Sequence, residues 1–70
     1  MINKFAEKLK ELRIENGLSQ AQLADNLGNK ITHSAIGLWE LGKRIPNVES
    51  VIIIAKYFNV TVDYILGLED

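Results

Sequence analysis

The 70-residue chain has no cysteine, and proline, tryptophan and histidine occur once each. Without thiols, neither a disulfide nor a thiolate metal site can supplement the core, and a chain of this length buries only about 60% of the surface its unfolded form exposes. Helix packing has to suffice, and the lack of disulfides permits a reducing intracellular home. Long apolar runs are missing too. The longest, VIIIA at 51–55, falls far short of the roughly 20 residues of a membrane span, and the N-terminus has no apolar signal-peptide region. The expectation is a soluble, cytoplasmic protein without a membrane partner. A basic surplus is also lacking: the formal net charge is −1, which weighs mildly against nucleic acid, because phosphate binders usually carry excess positive charge. A DNA-binding role therefore requires the cations to gather on one face. No stretch alternates with period two, and there are no repeats, low-complexity segments or linkers. No sheet is expected, and residues 1–70 read as one domain.

What is present is a series of helix signals. Ile2, Phe5, Ala6, Leu9 and Leu12 keep the spacing of one helix face, with Lys4, Glu7, Lys8, Lys10, Glu11 and Glu15 on the rest, so helix 1 runs to about Asn16 with Gly17 as its stop. In LSQAQL, Ser19 and Gln22 form a capping box and Leu18 and Leu23 a hydrophobic staple, which starts helix 2 at Gln20; it ends before Gly28. Thr32 caps a third helix, with Ile31 and Ile36 as its staple and Gly42 as its stop. Pro46 forces Ile45 out of helical geometry and Asn47 caps helix 4 at about 48–58. Its residues Val48, Val51, Ile52, Ala55 and Phe58 read as the broad apolar face of a central core helix. Asn59 suits a left-handed C-cap, and Thr61, with Val60 and Ile65 as staple, opens a short helix 5 closed by Gly67. The fold class expected is an all-α, compact five-helix domain.

Helices 2 and 3, at about 20–27 and 33–41, are short and separated by a few residues containing Gly28, the sequence form of a helix-turn-helix. The pair alone is weak evidence, since any helical domain contains such neighbours. The longer pattern GLSQAQLADNLG, SAIGLWELGKRIP and IAKYFNVTVDYILG is specific, and across residues 5–67 it resembles the phage-repressor or Cro-type helix-turn-helix family, the XRE-like transcriptional regulators with a lambda-repressor-like fold. The resemblance implies that helix 2 braces against the DNA backbone while helix 3 enters the major groove. It further implies that Glu40 pairs with Arg13 of helix 1 and that Trp39 packs the rear of the recognition helix on the core. The residue types agree: Trp39 lies three residues from Ile36, and a partly buried carboxylate beside it requires a cation, for which a planar guanidinium is best suited.

By the same resemblance, Thr32, His33 and Ser34, with Gly37 and Leu38 one turn later, face the base edges. These side chains are short or apolar. His33 can donate to guanine, Ser34 can bond either base class and Leu38 or Ala35 can touch a thymine methyl, but none offers the bidentate contact that carries most discrimination. Specificity is expected to lean on DNA shape, or affinity to be modest. Phosphate contacts are expected from Ser19 and Gln20 at the start of helix 2, where free backbone N–H groups favour an anion, and from Lys30, Lys43 and Arg44. The chain departs from the family pattern in its turn, where GNKIT carries two extra residues, Asn29 and Lys30. These extra residues are expected to tilt helix 3 or lengthen helix 2.

The acids do not point to catalysis. Glu7, Glu11 and Glu15 recur at i, i+4 spacing as on a solvated helix face, and Asp63 suits the first turn of helix 5. No nucleophile accompanies a base, and neither a metal-ligand cluster nor a phosphate-cradling glycine loop occurs, so no enzyme, metal or cofactor is expected. The function expected is sequence-specific DNA binding by a transcriptional repressor, acting as a homodimer on a double-stranded operator with half-sites about one helical turn apart. Tyr64, Ile65, Leu66 and Leu68 are the residues expected to join the dimer. The alternative is a protein-interaction module, such as an antitoxin or anti-repressor, to which the acidic balance and weakly polar recognition face would equally belong.

Overall fold

The computed structural model describes residues 3–28 and 30–68; Ile2, expected on the inner face of the first helix, and Asn29, expected in the inserted turn, lie outside the described residues. The elements are α1 (Asn3–Glu15), α2 (Gln20–Asn26), α3 (His33–Glu40), α4 (Val48–Phe58) and α5 (Val62–Ile65). No strand occurs among the described residues. The starts of α2, α3, α4 and α5 each have a chemical cause visible in the sequence. Ser19 Oγ accepts from the backbone N–H of Gln22 at 3.0 Å, while the backbone N–H of Ser19 donates to Gln22 Oε1 at 2.8 Å, a reciprocal capping box. Thr32, Asn47 and Thr61 cap α3, α4 and α5 by accepting from Ala35, Ser50 and Tyr64. Each such cap is worth about 1 kcal/mol.

The helices enclose one core. Phe5, Leu9, Leu23, Ile36, Ile54 and Ile65 are essentially inaccessible to solvent, and each such burial stabilises the fold by roughly 1.5–3 kcal/mol. The staple residues Leu18 and Val60 pack against this cluster. Trp39 is buried with its ring edge-to-face on Phe5, centroids 6.0 Å apart. It ties the rear of α3 to α1, as the sequence led us to expect.

Two expectations need correction. In α4 the buried residues are Val51, Ile54 and Ala55, whereas Val48 and Ile52, read as core, are exposed. The run VIIIA is apolar on every side, so its sequence does not identify the inward face; contact with the other helices does. Ile65, read as part of a dimer surface, is 0% exposed in the single chain. As N4 of the α5 staple it closes the core. Tyr64 and Leu66 are half-buried and Leu68 is exposed.

Candidate nucleic-acid interface

The two middle helices are held at a fixed relation by a polar network between three elements. Arg13 of α1 reaches Glu40 of α3 through two parallel bonds, Nε to Oε2 at 2.7 Å and Nη2 to Oε1 at 2.9 Å. Its remaining arm, Nη1, donates to the carbonyl of Leu18 at 2.8 Å, just before the cap of α2. The side chains are only 13% and 5% exposed, so the charges are shielded from salt and neither can lose its partner cheaply. The hydrogen bonds that Arg13 donates to Glu40, opposed by burial and helped by Coulombic attraction, raise the guanidinium pKa above its ordinary value. A base whose folded pKa is raised contributes stability that is full below its unfolded value and lost as pH rises through the folded one, here only in strong alkali. The guanidinium therefore keeps its charge across ordinary pH.

Gln20 joins the same network. Its Nε2 donates to Glu40 Oε1 at 3.2 Å, and its Oε1 lies where a side chain on α3 would begin: a Cβ built on Gly37 would stand 3.2 Å from it. Gly37 thus lets the side chain of Gln20 lie across α3. This explains a glycine inside a helix, where it costs about 1 kcal/mol relative to alanine. It also alters the expected picture. Gln20, assigned to phosphate, is half-buried and already bonded to Glu40, and Gly37, assigned to base reading, has Gln20 for a neighbour. The sequence contained no local signal for this contact, since the two residues belong to different helices.

The other assigned residues divide by place. Thr32, His33 and Ser34 are exposed at the start of α3, and Leu38 is exposed one turn later. Thr32 and Ser19 both have their hydroxyl oxygens engaged as caps. Lys30, Lys43 and Arg44 are exposed in the connections flanking α3. Lys30 and Arg44 come together, with Thr32, around a cleft between the start of α3 and the start of α4. Gly42 ends α3 with φ +73°, and the N–H of Lys43 turns back to the carbonyl of Leu38 at 2.9 Å, which throws Lys43 and Arg44 outward. The inserted turn does not lengthen α2, which ends at Asn26 with Gly28 at φ +77°. No group of acids, histidines or cysteines able to hold a metal occurs among the described residues.

A short capped helix, a six-residue connection and a second helix with a buried rear and an open, largely uncharged front define a helix-turn-helix module. Comparison with known proteins agrees. A family model described as Helix-turn-helix matches residues 9–65. The chain belongs to this helix-turn-helix family, that of HTH-type transcriptional regulators, a DNA-binding and non-enzymatic class. It is 46% identical over 66 residues to the HTH-type transcriptional activator BcrR of Enterococcus faecalis, covering 94% of this chain and 31% of that protein. It is 36% identical over 66 residues to the uncharacterized HTH-type transcriptional regulator YobD of Bacillus subtilis (94% and 57%) and 34% identical over 59 residues to the cryptic phage CTXphi transcriptional repressor RstR of Vibrio cholerae (83% and 50%). The chain thus spans between about a third and a little over half of these relatives. No solved structure gives a significant match. No helix among the described residues is long and apolar enough to cross a membrane.

Proposed function

We propose that this chain binds a double-stranded DNA operator by inserting α3 into the major groove, as a homodimer, and that it regulates transcription as a repressor by occupying the DNA. The observation that carries the reading is the two-sided character of α3. Its rear, Ile36 and Trp39, is buried and Glu40 is ion-paired to α1, while Thr32, His33, Ser34 and Leu38 stand exposed at the front. A base-reading helix has to be held rigidly from behind and left open in front. Ser19 and Gln20 on one flank, and Lys30, Lys43 and Arg44 on the other, are the groups we assign to the sugar-phosphate backbone. Sequence preference then comes from His33, Ser34, the Leu38 contact to thymine methyls and DNA shape.

For the dimer we assign the exposed apolar groove of α4 and α5, formed by Ile45, Pro46, Val48, Ile52, Val62 and Leu66, in place of Ile65. Ile45 and Val48 are both 75% exposed in the single subunit, more than a lone domain needs to leave in water. Among the relatives, one is named an activator and another a repressor. The repressor reading rests on occlusion, since a domain seated on DNA blocks other proteins from the same site.

The test is selection of bound sequences from random double-stranded DNA at two salt concentrations. A palindromic consensus whose binding weakens with salt supports the reading. A specific observation favours the protein-interaction alternative, namely that the same apolar groove suits a foreign chain as well as a second copy. Arg44→Glu separates the two. Phosphate repulsion should abolish DNA binding, whereas a protein contact made through α4 and α5 should persist; DNA binding unaffected by the reversal would sink the phosphate assignment.

A further inference from the structure

The front of α3 presents no amide or guanidinium of its own: His33, Ser34 and Leu38 are exposed there, and Gly37 has no side chain. Gly37 follows His33 by four residues and Ser34 by three, so a side chain on it would stand beside theirs on one helix face. That place is taken from another element. The three atoms nearest to a Cβ built on Gly37 all belong to Gln20 of α2, its Oε1 at 3.2 Å and its Cδ and Nε2 at 3.8 Å. The orientation of this amide is fixed. Nε2 donates to Glu40 Oε1 at 3.2 Å, and because a carboxylate only accepts, the nitrogen faces Glu40 and the carbonyl oxygen faces the recess of Gly37. Glu40 is in turn clamped by the two bonds from Arg13. Among the described residues Glu40 is the amide's one hydrogen-bond partner, which leaves the carbonyl oxygen and the second N–H unused. The oxygen is also open to solvent, since Trp39 Nε1 is the sole unpaired side-chain polar atom sealed from water among the described residues.

We infer that Gln20 is a base-reading residue supplied from α2: its amide, seated in the recess of Gly37, recognises an adenine in the major groove. The inference rests on the DNA-binding reading of α3. An amide carbonyl and N–H presented together match the N6 amino group and the N7 acceptor of adenine, the bidentate pairing that no exposed residue of α3 can make. The phosphate assignment of residue 20 concerns its backbone N–H at the start of α2 and is a separate contact. Gly37 and Gln20 thereby act together: the first removes a side chain from α3, and the second supplies one that the Arg13–Glu40 pair has already oriented. Orientation before binding reduces the entropy lost on contact, so a single amide can discriminate as a longer, freer side chain on α3 could not.

Bound sequences are selected from random double-stranded DNA with the parent chain, with Gln20→Ala and with Gly37→Ala, the fold of each variant being checked by its thermal melt. The parent consensus should contain an adenine in each half-site at which Gln20→Ala loses roughly 5- to 150-fold of preference, while the other positions and the salt slope are kept. Gly37→Ala, with Gln20 intact, should relax the same position, because its methyl displaces the amide. The sharpest arm replaces that adenine by 7-deazaadenine, which lacks the N7 acceptor. The parent chain should then lose affinity, and Gln20→Ala should lose none further, since its contact is already gone. Uniform weakening of Gln20→Ala on all sequences, with the consensus intact, would make the amide a backbone contact and overturn the proposal while leaving the DNA reading standing. Losses that add in the 7-deazaadenine cycle, or a consensus that Gly37→Ala leaves unaltered, would overturn it as well. A parent chain that selects no sequence removes the DNA reading, and the assignment of Gln20 falls with it. If Gln20→Ala does not fold, Gly37→Ala takes its place in the same cycle.

Discussion

The α2–α3 pair and the α4–α5 pair are built from different materials. The first is fixed by polar devices: a reciprocal capping box at Ser19 and Gln22, the two-pronged Arg13–Glu40 pair, the third bond of Arg13 to the Leu18 carbonyl, and Gln20 lying across Gly37. The second is held by apolar contact, with Val51, Ile54, Ala55 and Ile65 buried and Val48, Ile52 and Val62 left outside. Polar networks define distances and angles, since a hydrogen bond is directional and a buried charge tolerates no other partner. Apolar contact defines little beyond proximity. The half to which we assign the aiming of a helix uses direction, and the half to which we assign the dimer uses area.

The comparison can be broken most severely at Ile65. Ile65→Asp would bury an unpaired carboxylate in the one place where α5 closes the core, so the chain should fail to fold, seen as loss of the cooperative melt by circular dichroism. A folded monomer from this variant would return Ile65 to the surface and refute the core assignment. Next comes Glu40→Ala, which strands Arg13 in a site 13% exposed and should cost about 3 kcal/mol, or roughly 12–24 °C in melting temperature. A melt equal to wild type would remove the pair from any aiming role. On the apolar side the expected effect on stability is small. Val48→Asp or Ile52→Asp should keep the melting temperature within a few degrees while sedimentation shifts from dimer to monomer, whereas an unchanged dimer would move the interface elsewhere. The smallest effect belongs to Gly37→Ala. The gain in helix propensity, about 1 kcal/mol, is offset in part by the contact with Gln20 Oε1, whose flexible end can yield, so stability should rise slightly while duplex binding weakens. If binding stays unchanged, Gln20 has no part in the interface.

Much of the helix layout was legible in the sequence because its signals are local. Ser19, Thr32, Asn47 and Thr61 act within three residues of themselves, and glycine at positions 17, 28, 42 and 67 takes positive φ immediately beyond a helix. The Arg13–Glu40 pair spans 27 positions and was reached through family resemblance, with residue chemistry only agreeing. The bond of Gln20 to Glu40 and the close approach of Gln20 to Gly37 were missed, because no spacing rule relates residues of separate helices. The inward face of α4 was misread because a run apolar on all sides has no phase to read.

By itself, then, the sequence determined the helices found among the described residues, their caps and stops, and the order in which they follow one another. These depend on backbone groups finding partners a few residues away and on periodicities that persist whatever the helices pack against. Only the tertiary structure decided which side of α4 is buried, that Ile65 belongs to the core, that Gln20 crosses Gly37, and that Lys30 and Arg44 share a cleft. Those are relations between elements, and they depend on close packing in three dimensions, which a linear pattern constrains only in sum.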